Sequence, residues 1–170
     1  MNLSECIAQL KNHQVLFENF LAVASIAQRQ WRPEPESWSM HGVICHLLDE
    51  ERRDFRSRIQ HLLAGNAGIW QAVEPQDWPL LHRYAEWDFA ETLQAFLQER
   101  ADSIAWLESL GQVDWQATYN FPPLDGIRAG DILVSWVAHD ILHLRQLVEL
   151  KFSFWENHTD DFECGYAGDW

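Results

Sequence analysis

Apolar positions recur at helical spacing in four stretches of the chain. In the first, Leu3, Ile7, Leu10, Phe17, Leu21 and Ala24 fall three, four or seven residues apart, which predicts a helix over 3–29. It must stop before "WRPEPESW", where two prolines forbid continuation. The second covers about 39–64, with Ser37 or Ser39 as the N-cap oxygen and Val43, His46, Leu47, Glu50, Ile59 and Leu62 on one face. Gly65 suits the left-handed conformation that closes it. The third starts at Asp88, a good N-cap followed three residues on by Glu91, as in a capping box. Its stripe is Phe89, Leu93, Phe96, Leu97, Ile104 and Leu107, and Gly111 ends it. The fourth covers about 130–150, where Ile132, Trp136, His139, His143, Gln146 and Leu150 repeat at 4-3-4-3-4. Four helices with one apolar face each predict an all-α four-helix bundle.

The connections differ in length. Residues 30–38 are a short link, whereas 65–87 and 111–129 are long and rich in Trp, Pro and Gly. Within "YNFPPLDGIRAG", the Asp125-Gly126 pair is a turn signal that predicts a small hairpin. After Leu150 the chain reads "KFSFWENHTDDFECGYAGDW", which predicts an acidic, aromatic, irregular tail over 151–170 following a single bundle domain over 1–150. The tail's aromatics point to packing on the domain, and its glycines and charge to a loose path.

Composition narrows the function classes. At 47% hydrophobic and 22% charged over 170 residues, the chain is globular and long enough for one sizeable core. A net charge of −14 repels phosphate, which disfavours nucleic-acid binding and, for the same reason, anionic membrane surfaces. No apolar run approaches the ~20 residues of a membrane span. Cys6, Cys45 and Cys164 are odd in number and form no C-x-x-C, as expected in a reducing cytoplasm. The N-terminal stretch has no basic start followed by an apolar core, so no signal peptide is expected. Ten tryptophans are many, and six of them, Trp31, Trp38, Trp70, Trp78, Trp87 and Trp115, fall in the connections. Aromatic loops around a bundle mouth could line a pocket or simply cap the core.

The chemistry concentrates in "WVAHDILHLRQLVEL". His139 and His143 lie one helical turn apart on the face shared by Trp136, Leu147 and Leu150, with Gln146 beside them. Two inward imidazoles need separate hydrogen-bond partners, or one metal that satisfies both. Core histidines bonded to carbonyls or water are the plainer alternative for an isolated pair. His46 adds a third candidate ligand, because it shares the apolar face of helix two with Val43 and Leu47. His41 lies about 140° around that helix and Cys45 about 100°, so neither faces the same point. Glu50 lies one turn beyond His46, where it could accept a ligand's second N–H or take a proton from water; a place in the solvated charge run "DEERRD" is its alternative. Gln146 could orient a ligand or substrate, or bond across the bundle. Asp140 is rotated off the inward face, and His61, His82 and His158 read as surface residues.

"WSMHGVICHLLDEE" followed much later by "HDILHLRQ" resembles the DinB-like superfamily over about residues 3–150. The resemblance implies an up-down-down-up bundle with one long crossover, commonly dimeric, holding a divalent metal on three histidines. By position these are His46, His139 and His143. Relatives include thiol-dependent S-transferases and a thiol-dependent isomerase. The expectation is therefore a metal-dependent enzyme acting on a small molecule by S-transferase or hydrolase chemistry. Glu50 and Gln146 would assist, zinc or nickel would be bound before iron or copper, and a small thiol could serve as cosubstrate. A cytoplasmic homodimer is expected. A ligand-binding or interaction protein with a structural metal, or none, is the alternative.

Overall fold

The computed structural model describes residues 2–65, 68–70 and 75–168. Its helices are α1 (Leu3–Ala22), α2 (Ile26–Gln30), α3 (Met40–Arg53), α4 (Phe55–Leu63), α5 (Trp78–Leu81), α6 (Phe89–Ser109) and α7 (Ala129–Asn157). Single 3-10 turns lie at Tyr84–Glu86 and Gly165–Ala167. Four rods make the bundle: α1, the α3–α4 pair, α6 and α7.

Side-chain pairings give the rod directions. His41 meets Phe89, and Arg56 further along the α3–α4 rod meets Glu99, so that rod runs parallel to α6. His13 meets Asp140 and Phe20 meets Lys151, so α1 runs parallel to α7. Lys11 pairs with Glu108 and Phe17 with Phe96, so α1 and α6 are antiparallel. The order is up-down-down-up, and the connection from Ala64 to Asp88 is the long crossover between parallel neighbours.

Two predicted helices are divided. The first does not reach Arg29. Ser25 accepts from the Gln28 amide at 3.2 Å while the Gln28 side chain accepts from the Ser25 amide at 2.9 Å, a capping box that starts a new helix, α2. The second is interrupted at Asp54, whose backbone (φ −119°, ψ −95°) is not helical. Ser39 caps α3 and Asp88 caps α6, each through its side-chain oxygen. Gly65 has φ +65°, the left-handed value its position after the helix requires. The fourth helix does not end at Leu150 but runs to Asn157, since nothing in "KFSFWEN" breaks it. Phe154 and His158 then pack on Trp31, so the start of the tail is held by the end of α2. Around Asp125-Gly126 the expected hairpin is a loop closed by one antiparallel bridge, Thr118 to Arg128.

The core has two apolar clusters. One contains Phe17, Leu21, Met40, Val43, Phe96, Leu147 and Leu150, and the other Ile7, Leu10, Phe55, Ile59, Ile104, Leu107, Ile132 and Trp136. Between them in sequence on α1, α3, α6 and α7 lie His13, Glu51, Arg100 and Asp140, all buried. The bundle is thus two apolar halves separated by a polar layer.

Candidate metal centre

The consecutive acids Asp49, Glu50 and Glu51 of α3 are all buried. The run "DEERRD" is therefore not a solvated face in its acidic half. Neighbours on a helix point about 100° apart, so these carboxylates reach three different surroundings. Asp49 faces the crossover, Glu50 faces the histidines and Glu51 faces α6.

The structure brings His46, His139 and His143 together. Their ring nitrogens converge: His46 Nε2 lies 3.4 Å from His139 Nε2, which lies 3.1 Å from His143 Nε2. α3 and α7 run antiparallel here, which sets one ring from α3 against two from successive turns of α7. Among the described residues this is the one histidine, cysteine or carboxylate group of three or more with the spacing to hold a metal ion. The Gln146 side-chain oxygen lies 2.8 Å from His143 Nδ1. Because that oxygen can only accept, the proton of a neutral His143 sits on Nδ1 and its Nε2 lone pair points at the cluster.

The surroundings keep these rings neutral. Burial, then the nearby His143 and His139, pushes His46 down to about 2. Burial and His143 bring His139 down to about 4, and burial lowers His143 as well. Neutral imidazoles converging by Nε2 at these distances fit a divalent cation, whose charge offsets the lone-pair repulsion.

Glu50 Oε1 lies 3.6 Å from His46 Nε2, on the face turned to the cluster. It does not brace the second N–H of His46, because His46 Nδ1 is buried without a partner. Burial, with a smaller push from Asp54, raises Glu50 to about 8. Trp38 stands edge-on to the His46 ring at 5.0 Å and Trp78 tilts against it at 5.8 Å. Of the six loop tryptophans these two wall the centre; Trp70 stacks instead on Tyr119, and Trp31 and Trp87 serve other contacts. Trp38 also lines a cleft of 370 Å³ with Arg32, His41, Leu80 and Tyr84.

Asp49 fastens the crossover. It accepts from Tyr84 Oη at 2.8 Å and Arg53 Nε at 2.8 Å, and it pairs with His82 Nδ1. His82 is thus not a free surface residue but half-buried on α3. Asp140 also departs from expectation: it is fully buried, on the side of α7 opposite to solvent, gripped by Arg100 and His13. One signal was available in the sequence. Arg100 sits in the α6 stripe between Phe96 and Leu107, and Asp140 lies one turn from Trp136, both in apolar register. Cys45 is a packed thiol, raised to about 12 chiefly by burial.

Residues 9–147 match the DinB superfamily. The chain belongs to that superfamily. Among solved structures it is similar to YfiT from Bacillus subtilis, described as "a probable metal-dependent hydrolase with an unusual four-helix bundle topology". The similarity has a TM-score of 0.78 at 17% identity, over 89% of this chain and 87% of that one. At that identity it shows a shared fold. No curated protein matches the chain. Among the described residues, no helix of this DinB-superfamily member is long and apolar enough to cross a membrane.

Proposed function

We propose that this DinB-superfamily protein is a metal-dependent enzyme of hydrolase or thiol-dependent S-transferase type, with His46, His139 and His143 as the ligands. The observation that carries the reading is the convergence of three neutral Nε2 atoms at 3.1 and 3.4 Å. Zinc or nickel suits three nitrogens best, with iron and copper compatible. A divalent cation held by these three residues would supply Lewis acidity. Gln146 fixes the His143 tautomer through Nδ1. Glu50 is the proton acceptor: a cation beside it favours its ionised form, and Oε1 then takes the proton of an incoming water or thiol. Trp38 and Trp78 keep the back of His46 dry. The substrate is a small molecule, and a small thiol is the cosubstrate that the family resemblance suggests. The same resemblance suggests a homodimer, and the three free cysteines suit the cytoplasm.

Turnover tests this. Metal-loaded protein is assayed with ester and amide substrates, and with thiols plus electrophiles. Activity should appear in one set and fall by about 10²–10⁴-fold in Glu50→Gln with metal content unchanged. Full metal occupancy without turnover in either set would favour a ligand-binding protein instead.

A further inference from the structure

Behind the histidine cluster, one guanidinium holds both helices that carry it. Arg100 of α6 donates Nε–H to Glu51 Oε1 of α3 at 2.5 Å. It donates Nη1–H and Nη2–H to the two oxygens of Asp140 on α7, at 2.6 and 2.8 Å. Glu51 follows Glu50 in sequence, and Asp140 follows His139. All three charged side chains are at most 1% exposed. The remaining valences are filled from α1, α6 and α7. Ser103 Oγ donates to Glu51 Oε2 at 2.8 Å, Trp136 Nε1 donates to Glu51 Oε1 at 3.1 Å, and His13 Nδ1 meets Asp140 Oδ2 at 3.1 Å.

A bundle does not need such a layer to be stable, because apolar residues of similar volume serve a core as well or better. What the layer supplies is direction. Apolar packing tolerates small slides and rotations of a helix, whereas a planar fork bound to two fixed carboxylates does not. A rotation of α7 that moved His139 away from His46 would pull Asp140 off the fork. A slide of α3 that moved His46 or Glu50 would pull Glu51 off Nε.

We propose that Arg100 is a positioning residue for the metal centre, setting the register and rotation of α3 against α7 through Glu51 and Asp140. This rests on the three-histidine metal site argued above. Loss of the fork should loosen the ligand geometry even in a protein that still folds.

Cobalt(II) titration followed by its visible absorption bands tests this, with far-UV circular dichroism as the check on folding. Two variants are used. Arg100→Lys keeps the charge and loses the fork. Arg100→Met combined with Glu51→Gln and Asp140→Asn leaves no buried charge unpaired. Both should fold, bind cobalt at least about tenfold more weakly than wild type, and show shifted bands. Wild-type affinity and bands in a folded variant would overturn the inference and leave the metal site standing. Failure of both variants to fold would also overturn it, since the layer would then be a requirement of folding. If the wild type itself binds no cobalt, the metal site fails and the positioning role with it.

Discussion

Glu50 shows how one side chain's burial becomes a pH dependence. In the folded, metal-free protein it stays protonated up to about 8, against an ordinary 4.5. Unfolding releases that proton between those values, so stability falls as pH rises through the window. The histidines act in the other direction. The unfolded chain protonates them below about 6.5, while the folded chain resists until about 4 at His139 and about 2 at His46. Stability therefore also falls as pH drops below about 6.5. Urea unfolding of metal-free protein across this range should show a maximum near neutrality, with a shallower alkaline fall in Glu50→Gln. An unchanged alkaline fall in that variant would contradict the burial of Glu50. Gln146 is tested by Leu substitution, which removes the acceptor on His143 Nδ1 and should weaken metal binding by about 10–100-fold in a competition assay. At this scale the sequence showed what a single helix face can show: His139, His143 and Gln146 share a stripe, and His46 shares one with Val43. It did not show Asp49 or Glu51 as buried. Their partners lie far along the chain, His82 at 33 residues from Asp49 and Arg100 at 49 from Glu51, and no local pattern encodes such a pairing.

At the scale of elements, helix starts were legible and helix interruptions were not. Ser39 and Asp88 announce α3 and α6 because a capping oxygen precedes an apolar stripe. The Ser25–Gln28 box was hidden inside an apparently continuous stripe, and the break at Asp54 has no proline or glycine to signal it. The crossover is the element with the clearest consequence for function. Asp49 joins Tyr84 and His82 to α3 and so holds Trp78 against His46. Asp49→Ala should cost about 2 kcal/mol or more, since it removes buried hydrogen bonds to a charged group. Amide exchange should then rise in residues 75–87 before it rises in α6 or α7. Uniform exchange across the bundle would show that Asp49 does not act as this fastening.

At the scale of the molecule, two apolar halves enclose one polar layer, and both carboxylate networks adjoin the histidine cluster. The chain as a whole carries a net charge of −14, which favours a cation over any anion as the occupant. A bound metal stabilises the folded state by mass action, by about 2.7 kcal/mol at a hundredfold excess over Kd. Metal content of untagged protein, wild type and His139→Ala, is the measurement to make. Mass spectrometry should find close to one divalent metal per chain in the wild type and a large loss in the variant. If the wild type carries no metal and takes none up under mild conditions, the three histidines are a polar core and the enzyme reading falls.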